Sequence, residues 1–253
     1  MKYSRLHLAI FILVTLVMMF LAACCNTKPN LHAPQINITD KIASHTTVVL
    51  LDFDGYVSRD SSIWEMGTFA PADYSDDEQL RVLNRVDDYY EEFDVYFTRD
   101  EILYTLTEPE KRYRAVISKT PLMIWEGFWA RSMVGIAIYN QKLHKDTTAA
   151  YINAELWKTV GSTDDVSKVI AHEVAHMFGL AHQSTWDGVH LKAVYDPGDS
   201  LVAPLMGIPG VGKTAIWTIG VNEHGDLQDD RARLLRILGL RPKPIFPDPF
   251  KKP

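Results

Sequence analysis

Cysteine is almost missing from this 253-residue chain, and the two that occur, Cys24 and Cys25, are neighbours. Adjacent thiols cannot tie distant parts of a fold together, so no disulfide framework is available and a packed core must carry the stability. A chain of this length can bury enough surface for that. Dense basic blocks are missing as well: the formal net charge is −6, and Lys251 and Lys252 form only a short basic tail. Phosphate binding needs clustered Lys and Arg, which argues against nucleic acid as a partner. Internal repeats are absent too. What is present, 47% hydrophobic and 23% charged residues, is the balance of a globular protein rather than a disordered one.

The longest apolar run stands at the start. Lys2 and Arg5 precede residues 8–23, which are apolar except for Thr15, and small residues lead into Cys24. This is the pattern of a targeting segment. The string Leu21-Ala22-Ala23-Cys24 resembles a bacterial lipobox. The resemblance implies cleavage after residue 23, acylation of the Cys24 thiol by palmitate-type chains, and anchorage to a membrane outside the cytoplasm. Where the cell has an outer membrane, the lack of Asp at position 25 favours it. The alternative is an uncleaved signal-anchor helix, because a sixteen-residue apolar run nears the spanning length.

Four segments are expected: a signal over 1–23, a tether over 24–45, a catalytic domain over 46–240 and a proline-rich tail over 241–253. The domain divides in expectation into an N-terminal part, 46–182, and a loop-rich C-terminal part, 183–240. Residues 46–53 form a β-branched apolar run halted by Asp54-Gly55, which predicts a buried strand. Leu80, Leu83, Val86, Tyr90 and Phe93 recur at helical spacing and predict a helix over 76–93. Further strands are expected over 95–98, 113–118, 134–139 and 149–153. Two more helices are expected, a central one over 164–180 and a last one over about 227–238. The tail carries five prolines and should lie extended. The order predicts one α/β (α+β) domain, with a mixed, mostly parallel, twisted sheet and a central active-site helix.

Within the central helix stands His172-Glu173-Val174-Ala175-His176. Positions i and i+4 share a helix face, so both imidazoles can reach one metal ion. Two ligands are too few for zinc, which takes a tetrahedral shell and keeps one position open in catalytic sites. Gly179 tolerates a left-handed turn that ends the helix, and His182, three residues on, can swing back as third ligand. His172, His176 and His182 are thus the candidate ligands of one catalytic zinc ion. Glu173 is the candidate general base for hydrolysis.

Together these residues spell HEVAHMFGLAH, a match to HExxHxxGxxH, and the chain resembles the metzincin peptidases. The resemblance implies a zincin-like fold and a zinc-dependent endopeptidase acting on proteins or peptides as a monomer. It also implies a methionine turn, for which Met206 in Pro204-Leu205-Met206-Gly207 is the candidate. More broadly the chain is similar to bacterial secreted metzincin-like proteins. It shares the LDFDG segment (51–55), Trp64, the FDVxFT-type strand (93–98) and Gln228-Asp229-Asp230. It departs from that group at Gln183, where Asp is usual. No later cysteine cluster occurs, unlike archaeal-type metzincins with an extra zinc site. The strand over 134–139 is the candidate edge for an extended peptide. His190 and His224 read as solvated loop residues.

Two alternatives accompany this expectation. Asp52-Phe53-Asp54-Gly55 after an apolar strand resembles the first motif of haloacid-dehalogenase-type phosphatases, with Lys119 and Asp229-Asp230 as the further parts. The other alternative is a lipid-anchored binding module on the same fold without catalysis.

Overall fold

The structure, a computed structural model, describes residues 46–58, 67–126, 129–137, 149–208 and 210–242. The expected signal, lipidation site Cys24, tether, Trp64, Ile138, Tyr139 and all but the start of the tail lie outside these residues. In chain order the elements begin with β1 (Thr47–Asp52), β2 (Tyr56–Val57), β3 (Thr68–Phe69), α1 (Asp76–Tyr89), β4 (Val95–Thr98) and α2 (Glu101–Leu106). Then come β5 (Arg112–Ser118), β6 (Leu122–Glu126), β7 (Trp129–Met133), β8 (Gly135–Ile136), β9 (Ala149–Asn153), α3 (Ala154–Val160) and α4 (Thr163–Met177). The C-terminal part holds β10 (Thr185–Asp187), β11 (His190–Ala193), β12 (Val202–Pro204), β13 (Thr214–Ile216), β14 (Ile219–Val221), β15 (Leu227–Asp229) and α5 (Asp230–Leu238).

A five-stranded sheet in the order β4-β1-β5-β9-β8 forms the frame, parallel except for β8, which runs antiparallel to β9 at the edge. The expected mixed, mostly parallel α/β architecture is what the chain adopts. Strand periodicity sorts the side chains into two layers. Ala115, Ile117, Ala150 and Ile152 enter the main core beneath the helices, while Val116, Ala149 and Tyr151 join Phe69 and Leu122 on the other face. Tyr90, fully buried, donates its hydroxyl to the Ala171 carbonyl of α4 at 2.8 Å and packs on Phe97, Phe178 and Trp217. It thereby pins α1 to the central helix.

Several element ends differ from expectation, each for a local reason. Helix α1 stops at Tyr89 rather than Phe93, because Tyr90 leaves the helix to bury its ring and Phe93 bridges to Leu240. The last helix begins at Asp230, three residues late. Asp229 caps it by accepting from the Ala232 N–H, and residues 227–229 pair with β14 instead. The strand expected over 134–139 is ordered as β8 only at Gly135–Ile136 within the described residues. His190 opens an exposed strand, β11, not a loop. Among the described residues no helix is long and apolar enough to cross a membrane.

Candidate metal centre

Helix α4 is buried nearly all round, as expected of an element caught between the sheet and the C-terminal loops. Its start is fixed by a capping box. Ser162 accepts from the Asp165 N–H, and the Asp165 carboxylate returns the bond to the Ser162 N–H at 2.9 Å. The same carboxylate pairs with Lys168 at 2.8 Å, both side chains being buried. Burial works against the Asp165 charge, yet Lys168 and the Ser162 donors outweigh it and hold the group down at about 2.

The helix ends at Met177, three residues short of the expected Leu180, and the way it ends makes the site. Gly179 adopts φ +84°, its N–H reaches the His176 carbonyl at 2.8 Å, and the Leu180 N–H reaches Ala175 at 3.0 Å. This is a Schellman closure, which needs a left-handed residue that only glycine supplies cheaply. The reversal delivers the Leu180 carbonyl to His176 Nδ1, 2.7 Å away. It also brings His182 back against the helix, its ring centroid 4.5 Å from that of His176.

The structure brings His172, His176 and His182 together: one nitrogen from each lies within 4.8 Å of the others. His176 Nε2 stands 3.0 Å from His172 Nε2 and 3.0 Å from His182 Nε2. The opposite nitrogens are all occupied. His172 Nδ1 meets the Leu205 carbonyl at 2.7 Å, His176 Nδ1 the Leu180 carbonyl, and His182 Nδ1 the Glu223 carboxylate at 2.6 Å. Carbonyl and carboxylate oxygens only accept, so each Nδ1 carries the hydrogen, which leaves each Nε2 free to turn a lone pair inward. Burial, reinforced by the neighbouring rings, holds His172 down at about 4 and His176 well below the usual histidine range, so these two are neutral.

Three lone pairs pointed at one spot repel unless a cation lies between them. Separations of 3.0 Å approach the edge of about 3.3–3.4 Å of a tetrahedron with zinc–nitrogen bonds of 2.0–2.1 Å. Histidine nitrogens with their far sides held by oxygen acceptors are the donor set that zinc takes. The residues fit the ion.

Glu173 follows His172 on the helix and is buried against the edge strand. The Ala137 N–H donates to its carboxylate, and burial pushes the group up to about 8. A Cβ at Gly135 would lie 2.5 Å from Glu173 Oε1, so the carboxylate rests on bare strand backbone. Met206 is fully buried in the turn after β12, next to the Leu205 carbonyl that holds His172.

Sequence spacing did not point to Glu223, Gly135 or the carbonyls of Leu180 and Leu205. Asn222-Glu223-His224-Gly225 is recognisable as a turn, yet nothing local links it to a histidine forty-one positions earlier. Tyr195, whose ring centroid lies 4.3 Å from that of His182, was equally hidden. His224 is exposed, with its Nε2 3.8 Å from Glu223. The parts of the phosphatase motif are engaged with other partners. Asp52 is bound to Arg114, Lys119 pairs with Asp73 at 3.1 Å, Asp229 caps α5, and Asp230 is buried among glutamine amides.

No family model matches the chain, and no curated protein does. Among solved structures, an archaemetzincin from Methanopyrus kandleri is similar over 55% of this chain and 77% of its own, at 16% identity and a TM-score of 0.29. A superposition that loose bears on neither chemistry nor substrate.

Proposed function

We propose that the chain is a zinc-dependent endopeptidase, with His172, His176 and His182 holding one zinc ion and Glu173 moving the proton. The observation that carries this is the set of three inward Nε2 lone pairs with every Nδ1 engaged elsewhere. Zinc bound there supplies a Lewis acid and makes water a nucleophile near neutral pH. A zinc ion beside Glu173 would favour the ionised carboxylate that burial alone disfavours, and Glu173 would then take a proton from the attacking water and pass it to the leaving amide nitrogen. Its burial beside β8 keeps bulk water from competing for that carboxylate. The edge strand β8 supports extended-peptide binding by strand addition. The lipobox-like Leu21-Ala22-Ala23-Cys24 supports a domain tethered outside the cytoplasm by lipid on Cys24, which the mass of the mature N-terminus tests.

Metal analysis of the purified chain should find about one zinc per molecule, removable by chelation. Cleavage of a broad peptide library should fall by about 10²–10⁴-fold in Glu173→Gln while the metal stays bound. A wild type as inert as Glu173→Gln across such a library overturns the peptidase and leaves a metal-holding binding module.

A further inference from the structure

We infer that Gln183, Gln228 and Asp230 form a buried positioning network that sets where His182 presents its imidazole, and hence how tightly the centre holds its metal. The inference rests on the metal-binding role proposed above and assigns residues that lie outside the ring cluster itself.

His182 sits between two clamped neighbours. On one side, Gln228 grips the Ala181 backbone by both groups: Oε1 accepts from the Ala181 N–H at 3.0 Å, and Nε2 donates to the Ala181 carbonyl at 2.9 Å. On the other side, the Gln183 backbone is fixed by the Met206 carbonyl at 2.8 Å and by the Asp196 N–H at 2.7 Å. The Gln183 side chain then donates to the Gln228 carbonyl at 3.2 Å and to Asp230 Oδ1 at 2.9 Å. Gln228 Nε2 meets that same oxygen at 2.8 Å. Asp230 is anchored by the Thr218 N–H at 3.2 Å, and its own N–H donates to the Thr218 carbonyl at 3.1 Å.

Saturation is what makes this a device rather than incidental polarity. A primary amide has two hydrogens, and both amides have both committed: Gln183 to Asp230 and Gln228, Gln228 to Ala181 and Asp230. All three side chains are at most 3% exposed, so no bond lost here is replaced by bulk water. Gln183 has no room to slide either. A Cβ at Gly220 would lie 2.2 Å from its Oε1, so the amide oxygen abuts bare backbone of β14. An aspartate at position 183, expected from the resemblance, would present a second carboxylate to Asp230 and could donate nothing. The amide at 183 and the acid at 230 are matched partners.

The test uses the full chain, stripped of metal and titrated with zinc against a chromophoric chelator, and then with cobalt(II), whose visible spectrum reports ligand geometry. Gln228→Ala and Gln183→Glu are each expected to weaken zinc binding by about 10–100-fold, the cost typical of losing support behind a metal ligand. Each should also alter the cobalt spectrum. Gln228→Met, which keeps the volume, is read the same way should the alanine variant not fold. A native chain that surrenders zinc to the chelator refutes the metal centre itself. A native chain that binds, with single variants binding as tightly and giving the same cobalt spectrum, overturns the positioning role alone. A fall in thermal midpoint with affinity and spectrum unchanged has the same consequence, since it marks the network as merely structural.

Discussion

At the scale of single residues, Gly135 is as specific a requirement as any ligand. The space its side chain would fill is taken by Glu173, with Oε1 at 2.5 Å and Cγ at 2.7 Å from an ideal Cβ. Gly135→Ala is therefore expected to push the Glu173 carboxylate off β8 while leaving the three imidazoles in place. Peptidase activity should drop by about 10²-fold or more, the contribution of a positioned acid–base group, with zinc content unchanged. Gly67→Ala, whose Cβ meets nothing within 4 Å, is the control and should be silent. Steady-state rates and metal analysis on both variants decide it; full activity in Gly135→Ala removes Glu173 from its assigned place. The contrast between these glycines also marks where sequence reading stops. The three histidines were legible because helical spacing and one left-handed glycine are local properties. Gly135 and Glu223 were not, because each matters only through a contact that the fold creates, thirty-eight residues away for one and forty-one for the other.

At the scale of elements, α4 combines two jobs, bearing the histidines and crossing the core, and its N-terminal cap makes it acid-sensitive. The Asp165 carboxyl is held at about 2 when folded, against 3.8 for the unperturbed group. A depressed folded value means stability that is present above the unfolded value and is lost as pH falls from near 4 towards 2. At neutral pH, Asp165→Asn should cost about 3–5 kcal/mol, because it strands the Lys168 ammonium in the interior. The gap between native and variant in denaturant titrations should then narrow between pH 4 and pH 2. Comparing the two proteins isolates this group from Asp52 and Asp230. Burial raises those two carboxyls, and their pH dependence runs the opposite way. A gap that stays constant through that window removes the charge of Asp165 from the account. The ends of this helix were partly readable: its start at Thr163 lies one residue from the expected 164, and Gly179 was the stop. The turn of helix between them and Leu180 was overcounted, since the Schellman closure consumes the last residues of the apolar period.

At the scale of the whole molecule, the proposed metal centre would be a cross-link in a chain that has no disulfide to offer between residues 46 and 242. His172 and His176 belong to the central helix. The groups that orient the rings, Leu205 and Glu223, come from the C-terminal loops, where strands are only three or four residues long. Short strands of that kind bury little on their own, so an ion shared by α4 and the following segment should tighten both. An ion that binds only the folded chain stabilises it by about 4 kcal/mol at a free concentration a thousand times its dissociation constant. For a domain of this size that corresponds to roughly 8–16 °C in thermal midpoint, at about 2–4 °C per kcal/mol. Calorimetry with and without a strong chelator should show a shift of that order in the native protein. His182→Ala, which removes one ring and leaves α4 capped at both ends, should melt at the same temperature in either condition. A native midpoint indifferent to zinc would mean that the three lone pairs close on no ion, and the cross-link would have to be struck from the account of this fold.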